Sequence, residues 1–430
     1  MNEDFPSIQR NRRRRILLSA FAVSPSRGSE AAVGWNIATR LGKYHDVVVL
    51  HAERDHEQTY GRDIRAYLTQ YGEVPGVKFV SIAKPPYAAV CDAIHDLGFW
   101  YAYYWGYASW QRAALKTAMR LQVEQPFDLV HHLNMIGFRE PGYLWKLNLP
   151  FVWGPISGAV MVPWSYMSSL GLRGAGFHIL RNIENAIHMR FVPRVCRAAR
   201  AASQIWVVSP ADYKMVTQLW RRPAAYLLET GCAEIRNPVK TPYDGKRPIE
   251  LAWSGLHVSS KALPILLDAL RRLDATVRWH LTVLGKGPET ASWQRIATDY
   301  GIDQRISWLG QLSRDAAVRT MSRADVFVFT SIKEGTPHVV AEALGAGLPV
   351  VCHDCCGMAQ LVNDDCAVKI PLIRPQQSVI GFTHAIACFA RDPNLVSKLS
   401  RGALNRVAEM SWDKQVEEIA GAYDRLLSGT

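Results

Sequence analysis

The sequence predicts an α/β protein made of two Rossmann-like, doubly wound domains that face each other across a cleft. Three observations carry that expectation. Short apolar runs, the length of buried strands, alternate with stretches of helical periodicity; the alternation occurs twice; and a segment rich in proline and glycine separates the two series. A chain of 430 residues, 48% hydrophobic and 20% charged, has room for about two to three domains and is neither a disordered tail nor an array of short modules.

Taken in order, the first series places strands at residues 16–20, 47–52, 77–82, 129–132, 151–154 and 205–208, with helical patterns between them at, for instance, 31–41 and 111–121. Residues 231–248 hold Gly231, Pro238, Pro242, Gly245 and Pro248 with little periodic apolar content, which reads as a connector with the boundary near Lys240. The second series places strands at 250–254, 281–284, 306–309, 326–330 and 350–352. Residues 412–427 read as an amphipathic helix with Val416, Ile419, Ala420, Tyr423 and Leu427 on one face. The expected division is a first domain over 1–240, a second over 241–411 and a terminal helix over 412–430. In such folds ligands sit outside the carboxyl ends of the strands, so function is sought in the loops there.

Charge is one-sided. The chain carries 50 Lys and Arg against 38 Asp and Glu, a formal net charge of +12; residues 1–240 hold 29 and 18 of these, residues 241–430 hold 21 and 20. A basic first domain fits an anionic membrane surface, an anionic lipid-linked substrate or nucleic acid. Arginines 12–15 and the series Arg173, Arg181, Arg190, Arg194, Arg197 and Arg200 supply much of the charge. Their recurrence on what reads as helix suits a stripe toward the phosphates of a lipid carrier better than a nucleic-acid groove.

No stretch of 18 uncharged apolar residues occurs, so no transmembrane helix is expected. Residues 97–111 come nearest, with Phe99, Trp100, Tyr101, Tyr103, Tyr104, Trp105, Tyr107 and Trp110 in a run without charge. The run is too short to span, and it suits either a membrane surface or a buried helix between domains. Arginines 12–15 followed by apolar residues 16–23 imitate a signal peptide, but the chain then runs directly into a loop and an amphipathic helix, which favours a first buried strand behind a basic arm. Eight cysteines are too sparse for a disulfide scaffold and point to a reducing compartment. A zinc site from His353, Cys355, Cys356 and Cys366 is disfavoured, because adjacent cysteines suit a tetrahedral site poorly.

The most specific stretch is residues 331–350, SIKEGTPHVVAEALGAGLPV. Gly335 and Pro337 lead from a strand into a helix from about His338, whose first backbone N–H groups are unpaired; such a helix end binds phosphate. Glu334 lies in the loop and Glu342 about a turn into the helix, so both can face one ligand, one meeting a sugar ring and the other a ribose. The plain alternative is a strand, turn and helix with both glutamates solvated.

With these pieces in this order the sequence resembles the retaining glycosyltransferases of family 4, which have the GT-B fold. The segment KEGTPHVVAEALGAGLPVV resembles that family's Glu-x7-Glu motif and the strand after it. AWSGLHVSSKALPILLDAL is similar to the first strand of its donor domain, LTVLGKGP and ISWLGQL to the next two strand-loop units, and SWDKQVEEIAGAYDRLL to the terminal helix that crosses back to the first domain. More loosely, SPSRGSEAAVGWNIATRL resembles the Gly-rich loop facing the acceptor, FDLVHHLN the strand whose exit carries a histidine near the sugar, and PFVWGPISGAV a segment of members that act in polysaccharide or glycolipid assembly.

The resemblance implies an acceptor-binding first domain and a donor-binding second domain. Gly255, Gly335, Thr336 and Pro337 would line the donor site, Lys261 would neutralise its diphosphate, and the backbone of His338, Val339 and Val340 would add helix-terminus charge. Glu342 would bind the ribose and Glu334 would meet the transferred sugar. Gly28, Ser29 and Glu30 would face the acceptor, with His131 or His132 as catalytic candidates unless both are core residues. The implied activity is a retaining, nucleotide-sugar-dependent hexosyltransferase acting on a lipid-linked or glycan acceptor in exopolysaccharide, lipopolysaccharide or glycolipid assembly. The implied location is cytoplasmic, peripheral on the inner, anionic face of the membrane. No Asp-x-Asp pair occurs, so no metal and no resident cofactor are expected, and the leaving charge falls to Lys261 and the helix end. Retention in this family is drawn as front-face substitution in which the leaving phosphate helps deprotonate the acceptor, without a protein nucleophile.

Two features depart from the pattern. The family often has Arg directly after the strand-end glycine, where this chain has Leu256 and then His257; and the reactive-side histidine usually lies two positions later, where Leu133 stands. Other readings are a catalytically silent GT-B partner subunit, a nucleic-acid-binding protein using the basic first half, and a sugar-nucleotide epimerase. A nicotinamide dehydrogenase is disfavoured because no Gly-x-Gly-x-x-Gly follows the first strand.

Overall fold

The structure, a computed structural model, describes residues 13–99, 101–231 and 242–428. Runs rich in Val, Ile and Leu, too apolar for an open sheet face, form two parallel sheets covered by helices. The first contains β1 (Arg15–Ala20), β2 (Asp46–Ala52), β3 (Val77–Ile82), β4 (Leu129–Asn134), β5 (Phe151–Ile156), β6 (Ala202–Val207) and β7 (Ala224–Tyr226), in the order β3-β2-β1-β4-β5-β6-β7. The second contains β8 (Ile249–Ser254), β9 (Trp279–Leu284), β10 (Ile306–Gly310), β11 (Val326–Phe329), β12 (Val350–His353) and β13 (Ala367–Ile370), in the order β10-β9-β8-β11-β12-β13. Strand order reverses between β1 and β4 and again between β8 and β11, so the loops after these pairs diverge and leave a crevice at each carboxyl edge.

The expected strands are present with ends shifted by a few residues. Two strands were not expected. β7 and β13 are edge strands of three and four residues, too short to show a period. The expected boundary at Lys240 lies outside the described residues.

Two segments are exchanged between the halves. The helix Trp412–Ser428 buries Val416, Ile419, Ala420 and Tyr423 in one apolar cluster with Ile16, Leu18, Ile37 and Trp206, so the end of the chain rests on the first sheet. In return Val162, Tyr166, Met167 and Leu170 pack into the core of the second sheet with Trp253, Leu266 and Phe382, and Tyr166 Oη lies 2.6 Å from Ser378 Oγ.

The two suspected surface signals resolve differently. In the helix Tyr101–Glu124, Tyr107 and Trp110 are buried with ring centroids 4.9 Å from that of Phe21, whereas Trp105 and the preceding Phe99 remain exposed. Trp100 lies outside the described residues. The arginines leading into β1 are largely occupied: Arg13 Nε is 2.9 Å from Asp46, Arg14 reaches Asp128 at 4.0 Å, and Arg15, the first residue of the strand, stacks over Phe127. Arg12 is outside the described residues. Among the described residues no helix is long and apolar enough to cross a membrane.

Candidate active site

Lys261 and Glu334 come from the carboxyl ends of the neighbouring strands β8 and β11, and their side chains form an ion pair. Ser331 Oγ donates to the same carboxylate oxygen, Oε1, at 2.7 Å, and the ammonium stands 5.2 Å over the Phe329 ring. The two loops are pinned together: Thr330 Oγ1 donates to Lys261 O at 2.8 Å and Ile332 N to Ser260 O at 2.9 Å. A single turn, Ser259–Lys261, places the lysine and is stopped by Ala262 in the left-handed region, φ 48°. The structure thus brings together two residues that the sequence places 73 apart.

Gly255 follows β8, and its amide donates to Leu284 O at 3.2 Å. Gly285, at φ 106°, passes so close that a Cβ there would overlap the Gly255 carbonyl, which explains a glycine at that loop. Leu256 is exposed, while His257 turns inward between Trp253 and Trp293 with Nδ1 2.8 Å from Thr290 Oγ1. Burial holds the His257 pKa below its ordinary value, so neither residue supplies the cation that an arginine at this point would. The helix His338–Gly345 starts after Pro337, whose extended backbone releases the chain from the loop. Val339 and Val340 lie in its first turn, and Glu342 Oε1 accepts from Arg314 Nε at 2.6 Å.

Across the cleft, a Cβ at Gly335 would meet Ser157 Oγ at 3.4 Å and Glu229 Oε2 at 3.6 Å, from the loops after β5 and β7. The Glu229 carboxyl accepts from the Thr336 N–H; burial and then the negative charge of Glu30 push its pKa up to about 8. Glu30 itself is pushed up to about 7, chiefly by burial, against the opposing hydrogen bond from the Ile136 N–H. Thr336 Oγ1 is buried with no partner among the described residues. The seam therefore holds two carboxyl groups that keep protons near neutrality, able to donate as well as accept hydrogen bonds to hydroxyl groups. Ser29 opens the helix Ser29–Leu41 with Gly28 as its N-cap, and a Cβ at Gly28 would meet nothing within 4 Å. Protein packing does not demand glycine there, and the space beside it is open.

The two histidine candidates both lie buried in the first sheet. His131 is fully buried within β4, with Nδ1 2.5 Å from Tyr423 Oη and Nε2 2.6 Å from Gly154 O, so neither nitrogen is left for a substrate. Burial pushes its pKa down to about 3. His132 points to the other face, is equally buried, lies against Gly142 and is pushed down to about 4. Both are core residues, as a strand covered on both faces requires.

Sequence reasoning missed Glu229 and Lys333. Glu229 follows the unpredicted β7, where a lone acid after an apolar triplet was the available signal. Lys333 precedes Glu334, and burial together with the charges of Arg181 and Arg139 pushes its pKa down to about 8. Arg139 and Arg181 share Glu184, at 3.8 and 2.7 Å, so cations from both halves gather beside the motif.

On the far edge of the first sheet, the loops after β2 and β3 enclose an open cavity of about 890 Å³ lined by His56, Lys84, Asp92, His95 and Asp96 among others. His56, His95 and Asp96, or Asp55, His56 and Asp92, lie close enough together to ligate a metal ion. Lys84 Nζ sits 2.6 Å from Asp55 and 3.1 Å from Asp92, so an ammonium already stands between the carboxylates of the second set.

Residues 245–406 match the family model of group 1 glycosyl transferases. The chain is 29% identical over 227 residues to the lipopolysaccharide core biosynthesis glycosyltransferase LpsE of Rhizobium meliloti, a match covering 51% of this chain and 62% of that protein. It thus spans less than two thirds of that relative's length. Among solved structures, the lipopolysaccharide outer core galactosyltransferase WaaB superposes with a TM-score of 0.62 at 14% identity, over 96% of this chain and 99% of WaaB. HepE of Anabaena in complex with UDP superposes with a TM-score of 0.57 at 15% identity, over 96% and 100% of the two chains. The chain has the GT-B fold, and its residues 245–406 resemble the group 1 glycosyl transferases.

Proposed function

We propose that the protein is a retaining glycosyltransferase that moves a hexose from a nucleotide-sugar to a lipid-linked or glycan acceptor in exopolysaccharide, lipopolysaccharide or glycolipid assembly. It would work without a bound metal, in the cytoplasm at the inner face of the membrane. The observation that carries this reading is the Lys261–Glu334 pair at the switch point of the donor sheet, next to the helix that starts at His338. In this reading Lys261 and the first amides of that helix hold the diphosphate, and Glu334 faces the sugar that leaves it. Glu30 and Glu229 on the opposite wall offer hydroxyl-binding groups to an acceptor. The relatives' roles in lipopolysaccharide core synthesis support the acceptor class, and the UDP complex of a GT-B neighbour supports the donor class. The test is transfer or hydrolysis of UDP-, GDP- and ADP-sugars in EDTA, with the anomer read by NMR. Retention without metal is the expected outcome; an inverted product, or activity that needs a divalent ion, overturns it.

A further inference from the structure

The helix Gly171–Phe191 is built inside out. Its buried face carries His178, Asn182, Asn185 and Met189, while Leu172, Ile179, Leu180, Ile183, Ile187 and Phe191 are exposed, Leu172 at 96% and Phe191 at 72%. At about 100° per residue these six fall within an arc of roughly 120°, opposite the buried face, and the exposed Phe177 lies about 40° beyond it. The polar face ties the helix to the chain beneath it. Asn182 both donates to Val162 O at 2.8 Å and accepts from Val162 N at 3.2 Å, and Asn185 donates to Gly158 O at 3.0 Å. These bonds hold segment 158–162, which continues from Ser157 in the cleft wall. Water-facing helices do the reverse, burying their apolar side, so the outward stripe has no role in holding this fold together.

Charge says what covers it. Residues 171–200 contain six arginines and one acid. The acid, Glu184, is held by Arg181, and Arg194 by Glu140, leaving Arg173, Arg190, Arg197 and Arg200 exposed with no carboxylate partner among the described residues. Arg173 and Arg190 fall within the apolar arc, one near each end of the helix. The surface also continues: Tyr101, at the start of the helix Tyr101–Glu124, hydrogen-bonds Glu184, which brings the exposed Phe99 and Trp105 beside the stripe. Apolar side chains over one arc, arginines at its ends, aromatics at its edge and no unpaired acid within residues 171–200 are the features of a helix lying in the headgroup region of an anionic bilayer.

We propose that the outer face of the helix Gly171–Phe191, with Phe99 and Trp105, is the surface by which the protein lies on an anionic lipid bilayer. This rests on the membrane location proposed above and names the surface responsible. Docked this way, the helix touches lipid on one side and the cleft wall on the other, which would set the acceptor side of the cleft at the bilayer.

The experiment uses the full chain, without sugar donor, and vesicles of phosphatidylcholine alone or with phosphatidylglycerol. The parent should sediment with the anionic vesicles and be released by salt. Leu180→Glu with Ile187→Glu alters only outward side chains; it should keep the melting temperature and lose at least about tenfold in partitioning. Arg173, Arg190, Arg197 and Arg200 all changed to Gln should lose on the order of a hundredfold and most of the salt dependence. If the double variant binds vesicles like the parent, the surface is wrong. If the parent ignores vesicles and instead forms a dimer in ultracentrifugation that the double variant breaks, the stripe is a protein interface and the proposal fails. Because no donor is present, neither failure bears on the transferase reading, which the NMR assay decides separately.

Discussion

Lys261 and Glu334 neutralise each other at the point where β8 and β11 part, and Ser331 holds the carboxylate in place for the pair. A donor diphosphate entering this crevice would compete with Glu334 for the same ammonium. Lys261→Ala should therefore weaken nucleotide binding by about ten- to a hundredfold, the range of one charge-assisted hydrogen bond. It should also lower the melting temperature, since Glu334 stays largely buried with the Ser331 hydroxyl as its one remaining side-chain partner among the described residues. Calorimetric titration with UDP, GDP and ADP checks the first effect, and a thermal melt the second.

Glu334→Gln keeps the size and the Ser331 contact but removes the negative charge beside the forming oxocarbenium. Turnover should fall far more than nucleotide affinity, because only an interaction stronger in the transition state lowers kcat without weakening binding. Equal turnover in the variant and the parent would remove Glu334 from the reaction.

Glu229 gives a pH signature. Its folded pKa, about 8, lies above the ordinary carboxyl value, so between roughly pH 4.5 and 8 the folded state binds more protons than the unfolded one. Stability then falls as pH rises through that window, and Glu30, pushed up to about 7, adds to the fall over the lower part of it. Glu229→Gln should flatten the melting-temperature profile and exceed the parent at pH 8. A parent profile that rises from pH 5 to 8 and is unchanged by the substitution counts against it.

The sequence made the architecture legible because buried parallel strands announce themselves as unbroken apolar runs, and the donor loop legible because Gly335, Pro337 and the two glutamates keep fixed offsets around one strand-helix turn. Contacts between the halves were not legible. The apolar face of the terminal helix, Tyr423 included, was visible, but the return contact of Tyr166 with the second core and the approach of Glu229 to Gly335 have no local pattern that encodes them. His131 misled for a related reason: an apolar strand tolerates a buried imidazole when a distant residue, here Tyr423, satisfies it. The helix Gly171–Phe191 was half legible: its arginines read as a stripe, but nothing in the sequence showed that the polar face is the buried one.

Lys333 should make the cleft's hold on anions sensitive to alkali. With its pKa near 8 it is charged below that value and neutral above it, so nucleotide or phosphate-bearing acceptor binding should weaken as pH rises past 8. Lys333→Arg should carry tight binding to higher pH, and Lys333→Ala should remove the dependence. Identical profiles for all three proteins would place Lys333 outside the binding surface.

His131 should prove structural. Its ring bridges Tyr423 Oη and Gly154 O in a fully buried setting, so it joins the terminal helix to the first sheet. His131→Phe keeps a ring of similar shape but leaves both partners without a hydrogen bond, each costing about 1–3 kcal/mol when buried. Burial also keeps the imidazole neutral, with a folded pKa near 3, so below about pH 6.5 the unfolded state takes up the proton and stability falls with acid. The variant should melt at lower temperature and lose part of that acid dependence, while turnover per folded molecule stays at the parent value. Tyr423→Phe, which removes one of the same two bonds, should destabilise less, and the double variant should cost less than the two singles added, because they share a contact. A His131→Phe protein that melts like the parent but turns over a hundredfold more slowly would restore the histidine to the reaction.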